Sequence, residues 1–327
     1  MKPTVALIYG GEGYEREISI LGAKNLSTMI DREKYELVPV LIDENGEWSI
    51  DGIEGSVFPV FTDGIGGLIS KSGLIKIDIA IPLLHGDKGE DGAIVGALKS
   101  AHVRFIGCDV LPSAIASDKI SAKLIATALK IPTADWIFSI DQDCDGAILR
   151  AEQALSYPMF VKPSELGSSI GISKAYCRDE LRLAYGTALK YSKRILIEKA
   201  VSVKSELECA YLTLNGKHVY KVGEVLSDGS FYDFDRKYNS YTKTSAELMR
   251  PDIEKAVTEA ADKLREAIGA YGIARFDFFL TEDEKIVFNE INTFPGMTKT
   301  SLYPLLTRRM GLLDGEFINR LIAEALI

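Results

Sequence analysis

A carboxylate and an amide lie two residues apart in the stretch "VFNEINTFPGMT", residues 287 to 298. The first half of this stretch is typical of a buried strand, in which side chains two apart point to the same face. Glu290 and Asn292 therefore share a face, and Pro295-Gly296 follows them as a turn. Because a buried carboxylate without a partner is costly, this face must supply a cation or hydrogen bonds.

The partner strand is "ARFDFFL", residues 274 to 280, and the intervening "TEDEK" predicts an antiparallel hairpin. A two-residue turn at 283–284 would set Asp277 opposite Glu290, and Arg275 opposite Asn292. Such cross-strand neighbours lie about 5 Å apart. Three oxygen ligands, from Asp277, Glu290 and Asn292, would then converge, as Mg²⁺ prefers. Sheet geometry alone equally allows a ladder of salt bridges between Arg275 and the carboxylates on an exposed face.

The loop "KPSELGSSIG", residues 162 to 171, is a candidate phosphate-binding loop. Lys162 precedes a Gly/Ser-rich turn whose backbone N–H groups can point at an anion. The order differs from the phosphate-binding pattern GxxxxGK[ST]. Taken alone, a hairpin that merely turns the chain is the better interpretation. Lys119 and Lys237 are weaker candidates, since single lysines are normally solvated.

The N-terminal "GGEGYERE" follows an apolar strand and imitates a dinucleotide-binding fingerprint, with Asp43 as the acid after the second strand. The third glycine position holds Arg16, which blocks the close approach of helix to strand. The glycines favour a ligand near the N-terminus of the next helix. There Glu15 could bind a ligand ammonium or simply favour the helix dipole. "LHGDKGEDG" places His85 over a Gly-rich loop, where a lone histidine is more often structural than catalytic.

Helices and strands along the chain position these residues. Strands and helices alternate over the first hundred residues, which predicts a parallel sheet with functional loops at its carboxyl edge. A helix over 117–130, capped by Ser117, precedes further strands, two of which the Gly/Ser loop joins. "IEKAVTEAADKLREAIGAY" is typical of an amphipathic helix. The polar, aromatic segment 227–246 predicts a long surface loop.

Composition excludes several classes of protein. The chain has 327 residues, which predicts two or three α/β units, and a net charge of −9. That charge argues against nucleic acid and anionic membranes as partners. Only three histidines are present, so no HExxH zinc helix exists, and four dispersed cysteines predict reduced thiols. The sequence has no leader and no apolar run near the roughly 18 residues of a membrane span, so we expect a soluble, cytoplasmic protein.

Eight motifs follow one another along the chain: GGxxxERE, HGxxGEDG, SDK, VKPSxxGSSxG, LIEK, FYDFxxKY, ARFDF and NEINTxPGMT. Together they resemble D-alanine–D-alanine ligases of the ATP-grasp family. The resemblance implies an α/β and α+β protein with the ATP-grasp fold. An N-terminal, Rossmann-like parallel βαβ domain (1–107) would precede central (108–198) and C-terminal (199–327) domains whose antiparallel sheets enclose ATP. Segment 227–246 would be a lid over the site, and we expect a homodimer.

The same resemblance implies a nucleotide and metal site. Lysines would hold the phosphates, and Glu198 the adenine amino group. Glu206 would bind the ribose, although it lies one residue later than expected. A local bulge or a loop insertion would explain this, and Glu208 is the alternative. Asp277, Glu290 and Asn292 would bind two Mg²⁺ ions, or Mn²⁺ in their place. The implied nucleotide-binding residues are Lys119, Lys162, Ser169, Glu198, Lys199, Val201, Glu206, Lys237 and Phe279.

The implied reaction joins two D-alanine molecules. A carboxylate oxygen of the first attacks the γ-phosphate of ATP, and the amine of the second then attacks the acyl phosphate, so the protein supplies position and charge. Glu15 would pair with the first ammonium, while Arg275 and the Gly296 N–H would stabilise the oxyanion. The remaining implied substrate and catalytic residues are His85, Ser168, Tyr238, Ser301 and Leu302, with Ser168 and Tyr238 linked to Glu15 and Ser301 on the second carboxylate.

Other functions stay open. Lys237-Tyr238 and an apolar Leu302 favour D-alanine as the second substrate over D-serine or D-lactate. Phe294 and the pair at 299–300 depart from the family pattern beside that subsite. A non-catalytic nucleotide-binding relative would need a decayed site, yet the acids, the arginine and the lysines are all present. An NAD-dependent dehydrogenase is supported only by "GGEG" and Asp43.

Overall fold

A computed structural model describes residues 1–86, 88–140, 143–226, 244–245, 249–299, 301–313 and 315–327. The predicted lid segment 227–246, with Lys237 and Tyr238, lies outside the described residues except for Thr244–Ser245. Thr300 also lies outside them. Within the described part of the chain, no helix is long and apolar enough to cross a membrane.

The N-terminal third forms the predicted parallel sheet. Its elements are β1 (Thr4–Gly10), α1 (Arg16–Ser27), β2 (Glu36–Ile42), β3 (Trp48–Ser49), β4 (Phe58–Thr62), β5 (Ile65–Ser70), β6 (Gly73–Lys76), β7 (Ile79–Leu84), α2 (Ala93–Ser100) and β8 (Arg104–Phe105). The order β3-β2-β1-β7-β8 puts β1, β2, β7 and β8 in parallel, while β4, β5 and β6 form a separate antiparallel sheet. The carboxyl ends of β1 and β7 therefore meet at one edge, where Glu15 and His85 follow them.

The middle of the chain contains a small antiparallel sheet with its own core. Its elements are α3 (Val110–Ser117), α4 (Lys119–Ala128), β9 (Trp136–Ser139), α5 (Cys144–Ala154), β10 (Met159–Pro163), β11 (Ser173–Ala175), α6 (Arg178–Ala188) and β12 (Ile195–Lys199). The strand order is β11-β10-β12-β9. Helices α5 and α6 cover one face through a cluster that includes Ile148, Leu181 and Tyr185. Lys162 and Glu198 thus lie on neighbouring strands of one rigid sheet.

The C-terminal part is a second antiparallel sheet. Its elements are β13 (Val203–Leu214), β14 (Lys217–Leu226), β15 (Thr244–Ser245), α7 (Pro251–Ile268), β16 (Ile273–Thr281), β17 (Ile286–Asn292), α8 (Leu302–Arg309) and α9 (Glu316–Ala325). The strand order is β15-β14-β13-β16-β17. The predicted amphipathic helix is confirmed as α7, which buries Ile253, Val257 and Leu264 and ends at Gly269 with φ +73°.

Helices α3 and α4 pack on the C-terminal sheet, although they precede the central strands in sequence. Ala116, Ala122 and Ala126 share one core with Phe276 and Phe278 of β16. Small alanines allow these helices to lie close to the sheet. Residues 110–128 therefore pack against the C-terminal sheet, although the predicted division assigns them to the central domain. The boundaries at 108 and 198 remain a prediction.

Helix α4 begins one residue later than the sequence pattern predicts. Ser117 is the last residue of α3, so the predicted Ser117 cap is wrong. Asp118 is the N-cap instead, and its carboxylate accepts a hydrogen bond from the Ser121 N–H at 2.6 Å. The consequence is that Lys119 is the first residue of α4, held at the end of a helix rather than within one.

The hairpin of β16 and β17 has the predicted pairing, but its turn differs from the predicted one and a bulge offsets the difference. Asp277 lies opposite Glu290 and Arg275 opposite Asn292. The predicted two-residue turn is wrong, because the Thr281 N–H donates to the Lys285 carbonyl and encloses three residues. A shift after Asp277, where Phe278 pairs with Phe288, adds one residue to β17 and restores the pairing.

The outer edge of β17 is covered by the segment between α4 and β9. The Phe288 N–H donates to the Pro132 carbonyl at 2.8 Å, and Thr133 forms a single parallel bridge with Phe288. This contact ties the strand that carries Glu290 and Asn292 to the chain that leads into the central sheet.

Candidate active site

Two adjoining cavities lie between the central sheet, the C-terminal sheet and the carboxyl edge of the parallel sheet. The larger is lined by predicted residues from all three regions, namely Glu15, His85, Ser168, Glu206, Arg275, Asp277, Phe279, Glu290, Asn292, Gly296, Ser301 and Leu302. The smaller adds Lys119, Lys162 and Ser169 and shares Ser168, Glu206, Phe279 and Glu290 with it. Of the described predictions, Glu198, Lys199 and Val201 do not line these two cavities.

Glu15 is held in place by contacts where the parallel sheet meets the Gly/Ser loop. It precedes α1 and is 8% exposed, and the Ser168 hydroxyl donates to its carboxylate. A Cβ at Gly86 or at Gly167 would come within 2.6 Å of a Glu15 oxygen. A side chain at either position would therefore displace the Glu15 carboxylate, and Gly86 also has a left-handed backbone, with φ of +71°. The predicted link between Ser168 and Glu15 is present in the structure.

The Gly/Ser loop is held in a strained shape. Ser168 and Ser169 have left-handed backbones, with φ of +49° and +60°. Such conformations cost about 1–3 kcal/mol each in a residue with a Cβ, and they cluster at binding sites. This strain argues against a loop that merely turns the chain.

His85 and Glu90 bring two further titratable groups to the larger cavity. Burial, and secondarily Arg275, lowers the pKa of His85 to about 4, so its ring is neutral at physiological pH. Its buried Nε2 has no hydrogen-bond partner among the described residues. Burial, and secondarily Glu15, raises the pKa of Glu90 to about 8, while its carboxylate accepts from the Gly86 N–H at 3.0 Å. A neutral imidazole can therefore donate to a substrate without adding charge.

An acidic cluster consists of Glu208, Arg275, Asp277 and Glu290. Arg275 donates to both oxygens of Asp277, at 2.7 and 2.6 Å, and its Nε lies 3.5 Å from Glu208. The Asn292 side-chain amide donates to Asp277 at 2.9 Å. Burial lowers the pKa of Arg275, but Asp277 and Glu208 raise it by more. The arginine ladder is thus real, but it lines a cavity instead of an exposed face.

The oxygens of Asp277, Glu290 and Asn292 fit a hard cation by chemical type. Mg²⁺ commonly takes one or two carboxylates and completes its shell with phosphate and water. Among the described residues, no three His, Cys, Asp or Glu side chains form a metal-holding group. One arginine among three carboxylates also leaves the cluster with excess negative charge, which a cation would offset.

Lys119 lines the smaller cavity at the start of α4. Its Nζ donates to the Leu166 carbonyl at 2.5 Å and lies 3.6 Å from a Glu290 oxygen. Asp118 fixes its backbone, since this carboxylate also accepts from the Ser164 hydroxyl and from Arg194, each at 2.8 Å. The ammonium is therefore aimed between the Gly/Ser loop and the acidic cluster.

A basic cluster consists of Lys123, Lys162 and Glu198. Glu198 is 4% exposed and forms ion pairs with Lys162 through Oε1 and with Lys123 through Oε2, the latter at 2.9 Å. Burial alone would raise the pKa of Glu198, but the two lysines lower it to about 2. Glu198 is therefore ionised, and the cluster keeps one excess positive charge beside the smaller cavity.

The turn after β17 places Gly296 beside Ser301. A Cβ at Gly296 would approach the Ser301 hydroxyl to 3.1 Å, and that hydroxyl accepts from the Thr298 N–H at 3.1 Å. Asn25 of α1, which is 8% exposed, donates to the Met297 carbonyl at 2.8 Å. Leu302 is 4% exposed, so the wall beside Ser301 is apolar.

The position of Glu206 follows from an irregularity in β13. The pairing of β13 with β16 shifts between Val203 and Ser205, as the predicted bulge requires. Glu206 lines both cavities, whereas Glu208 lines only the larger one and lies against Arg275. At the end of β12, the Lys199 and Ala200 N–H groups donate to the Asp135 and Pro158 carbonyls, each at 2.9 Å.

Sequence reasoning missed Glu90, Asp118 and Lys123. Glu90 and Asp118 belong to motifs that were recognised, but only His85 and Lys119 were singled out there. Lys123 lies four residues after Lys119, which places both on one face of a helix. That spacing was the sequence signal available for Lys123. Nothing in the sequence indicated that Glu198, on a distant strand, is its partner.

A site between two antiparallel sheets, with Lys162 on the central sheet and Asp277 and Glu290 on the C-terminal sheet, is the arrangement predicted for an ATP-grasp protein. The family descriptions "D-ala D-ala ligase N-terminus" and "D-ala D-ala ligase C-terminus" match residues 4–108 and 125–323. The chain therefore belongs to the D-alanine–D-alanine ligase family.

Similar proteins support this membership over the whole length. A D-alanine–D-alanine ligase from Streptococcus agalactiae serotype Ia is 36% identical, covering 99% of this chain and 96% of its own. The crystal structure of D-alanyl-alanine synthetase A from Vibrio cholerae is 30% identical with a TM-score of 0.88, covering 99% and 98%. That of the VanG D-Ala:D-Ser ligase from Enterococcus faecalis is 29% identical with a TM-score of 0.88, covering 99% and 100%. The predicted ATP-grasp fold is confirmed.

Proposed function

We propose that this protein joins two D-alanine molecules in an ATP-dependent reaction that forms ADP and phosphate, for peptidoglycan precursor synthesis. The observation that carries the proposal is the shared cavity wall. Glu15, Arg275 and Ser301, predicted to hold the two amino acids, line the cavity that adjoins Lys119 and Lys162. The proposed amino-acid site thus adjoins the proposed phosphate site.

The first step makes the carboxylate of one D-alanine electrophilic. Its oxygen attacks the γ-phosphorus of ATP, the bond to ADP breaks, and an acyl phosphate forms. Lys119 and Lys162 neutralise the phosphates, while Glu15, held by Ser168, binds the ammonium of this first substrate. Two Mg²⁺ ions, held by Asp277, Glu290 and Asn292, would offset the phosphate charge. Glu206 binds the ribose, because it lies on the phosphate side of the site.

The second step forms the peptide bond. The amine of the second D-alanine attacks the acyl carbonyl, and phosphate leaves through a tetrahedral intermediate. Arg275 and the Gly296 N–H stabilise the oxyanion, and Ser301 holds the second carboxylate. The close approach of Gly296 to Ser301 supports this division, because a side chain at 296 would crowd the hydroxyl. A cytoplasmic homodimer remains part of the proposal.

Ligation of D-alanine to D-serine is the second candidate, since one of the similar structures is a D-Ala:D-Ser ligase. Leu302 favours D-alanine, because this buried leucine offers a serine hydroxyl no partner. An unpaired hydroxyl costs roughly 1–3 kcal/mol, which is about a tenfold to hundredfold preference. D-lactate is disfavoured by Tyr238, which lies outside the described residues.

A competition experiment tests both candidates. The enzyme receives equal D-alanine, D-serine and D-lactate with ATP and MgCl₂ near neutral pH, and products are identified by mass. We expect mainly D-alanyl-D-alanine, with ADP formed in equal amount. A majority of the serine dipeptide would establish the second candidate. ADP release that is independent of any D-amino acid would overturn ligation itself.

A further inference from the structure

We propose that Lys123 is a positioning residue that keeps Glu198 in place for adenine when Lys162 moves from Glu198 to the nucleotide phosphates. The inference depends on the proposed function only for the roles of Glu198 and Lys162 toward ATP.

The two lysines contact different oxygens of the Glu198 carboxylate. Lys162 pairs with Oε1, and Lys123 lies 2.9 Å from Oε2. The Lys123 side chain is 2% exposed and does not line the two cavities, whereas that of Lys162 is 9% exposed and lines the smaller one. Lys162 can therefore reach a phosphate, while Lys123 acts only through Glu198.

Charge explains why two lysines are needed. If Lys162 were the sole partner, its transfer to a phosphate would leave a buried carboxylate unpaired, which is strongly unfavourable. With Lys123 on Oε2, the transfer frees Oε1 and leaves Glu198 ionised. Burial and Lys162 both lower the pKa of Lys123, so binding of Lys162 to phosphate also removes a repulsion from it.

The freed oxygen has a consequence for base recognition. An ionised carboxylate is an acceptor only, so it accepts from the exocyclic amino group of adenine and repels the carbonyl of hypoxanthine. A protonated Glu198 could donate to that carbonyl. Lys123 therefore supports selection of ATP over ITP by keeping the proton off Glu198.

The test compares Lys123→Met with a matched control, Lys255→Met, whose side chain is 77% exposed. KM is measured for ATP, ITP and D-alanine, and ADP binding is measured by calorimetry. For Lys123→Met we expect the KM for ATP to rise about tenfold or more, with the KM for D-alanine within about twofold and a smaller preference for ATP over ITP. The control should match the wild type.

A double-mutant cycle separates positioning from a general loss of structure. In a Glu198→Gln background, Lys123→Met should add little, because the carboxylate that it serves is gone. This background also carries no unpaired buried carboxylate, so it serves if the single variant fails to fold. An unchanged preference for ATP over ITP in Lys123→Met, or effects that add fully, would overturn the proposal. ADP calorimetry reports on it even if the protein forms no dipeptide.

Discussion

The two charged clusters of this site are built from the same kinds of side chain but carry opposite excess charge. In the basic cluster two lysines flank one glutamate, and in the acidic cluster one arginine lies among three carboxylates. The first is complementary to phosphates and the second to cations. Lys119 bridges them through its 3.6 Å approach to Glu290. Burial alone therefore does not determine what these clusters can bind. The sign of the excess charge of each cluster indicates its ligand.

The largest expected effect comes from removing one negative charge from the acidic cluster. Glu290→Gln keeps the shape of the side chain but weakens the hold on a cation, so ligation should fall by about 100-fold or more. The fold should survive, because Glu290 is only partly buried and the variant lowers the excess negative charge of the cluster. Dipeptide formation and circular dichroism measure the two quantities. Full activity at millimolar MgCl₂ would refute the metal assignment.

Arg275→Met tests the same cluster from the other side. It leaves Asp277 and Glu208, both partly buried, without their guanidinium partner, so the free energy of unfolding should fall by up to about 3–5 kcal/mol. Because the excess charge is negative, MgCl₂ should recover part of this loss, whereas it should not stabilise Lys123→Met. Urea unfolding with and without MgCl₂ measures both. Equal responses of the two variants to MgCl₂ would contradict the contrast between the clusters.

Glu90→Gln tests a carboxylate that lies near Glu15, the predicted partner of the first ammonium, but belongs to neither cluster. Burial raises the folded-state pKa of Glu90 from 4.5 to about 8, so the folded protein holds this proton more tightly than the unfolded chain does. That contribution to stability is complete below pH 4.5 and is lost as the pH rises through about 8. The variant cannot ionise, so its stability should fall less between pH 5 and pH 8.

Urea unfolding at several pH values measures this slope for Glu90→Gln, with the exposed Glu54→Gln as control. The control should follow the wild type. If Glu90→Gln follows it as well, Glu90 does not carry the proton, and its carboxylate is then ionised beside Glu15.

The smallest expected effect comes from a neutral contact outside the clusters. Asn25→Ala removes the bond to the Met297 carbonyl, next to the Gly296 N–H proposed for the oxyanion. The loss of one such bond is worth about 1 kcal/mol, or about fivefold in kcat. Steady-state kinetics should show the change in kcat with little change in the KM for ATP. A larger effect on the KM for ATP would mean that α1 supports the nucleotide side instead.

The sequence predicted the polar face of the hairpin because strand periodicity is local. Alternation placed Glu290 with Asn292, and Asp277 with Arg275, independently of the turn. The turn itself was predicted wrongly, and the pairing held only because a bulge in β17 offset the extra turn residue. Bulges depend on what packs against a strand, so they are not visible in periodicity.

The ion pairs between residues far apart in the sequence were the main part of the site that the sequence pattern could not predict. Lys123 and Glu198 are 75 positions apart, on a helix of one core and a strand of another, and only the packing of α4 brings them together. The resemblance named Glu198 but not its second lysine. Asp118 was missed for a related reason, because a Ser-Asp pair offers two caps and the end of α3 decides between them.

The covered edge of β17 also bears on how the protein avoids aggregation. Among the described strands, β17 ends its sheet, and an open end of a sheet is a template for strands of other molecules. Pro132 accepts from Phe288 but has no N–H of its own to offer, so the added segment closes the ladder instead of extending it. A chain with this segment displaced, as a nascent or partly unfolded molecule would be, exposes "IVFNEIN" for intermolecular pairing. Self-association should therefore begin at the strand that carries Glu290 and Asn292, two of the proposed metal ligands.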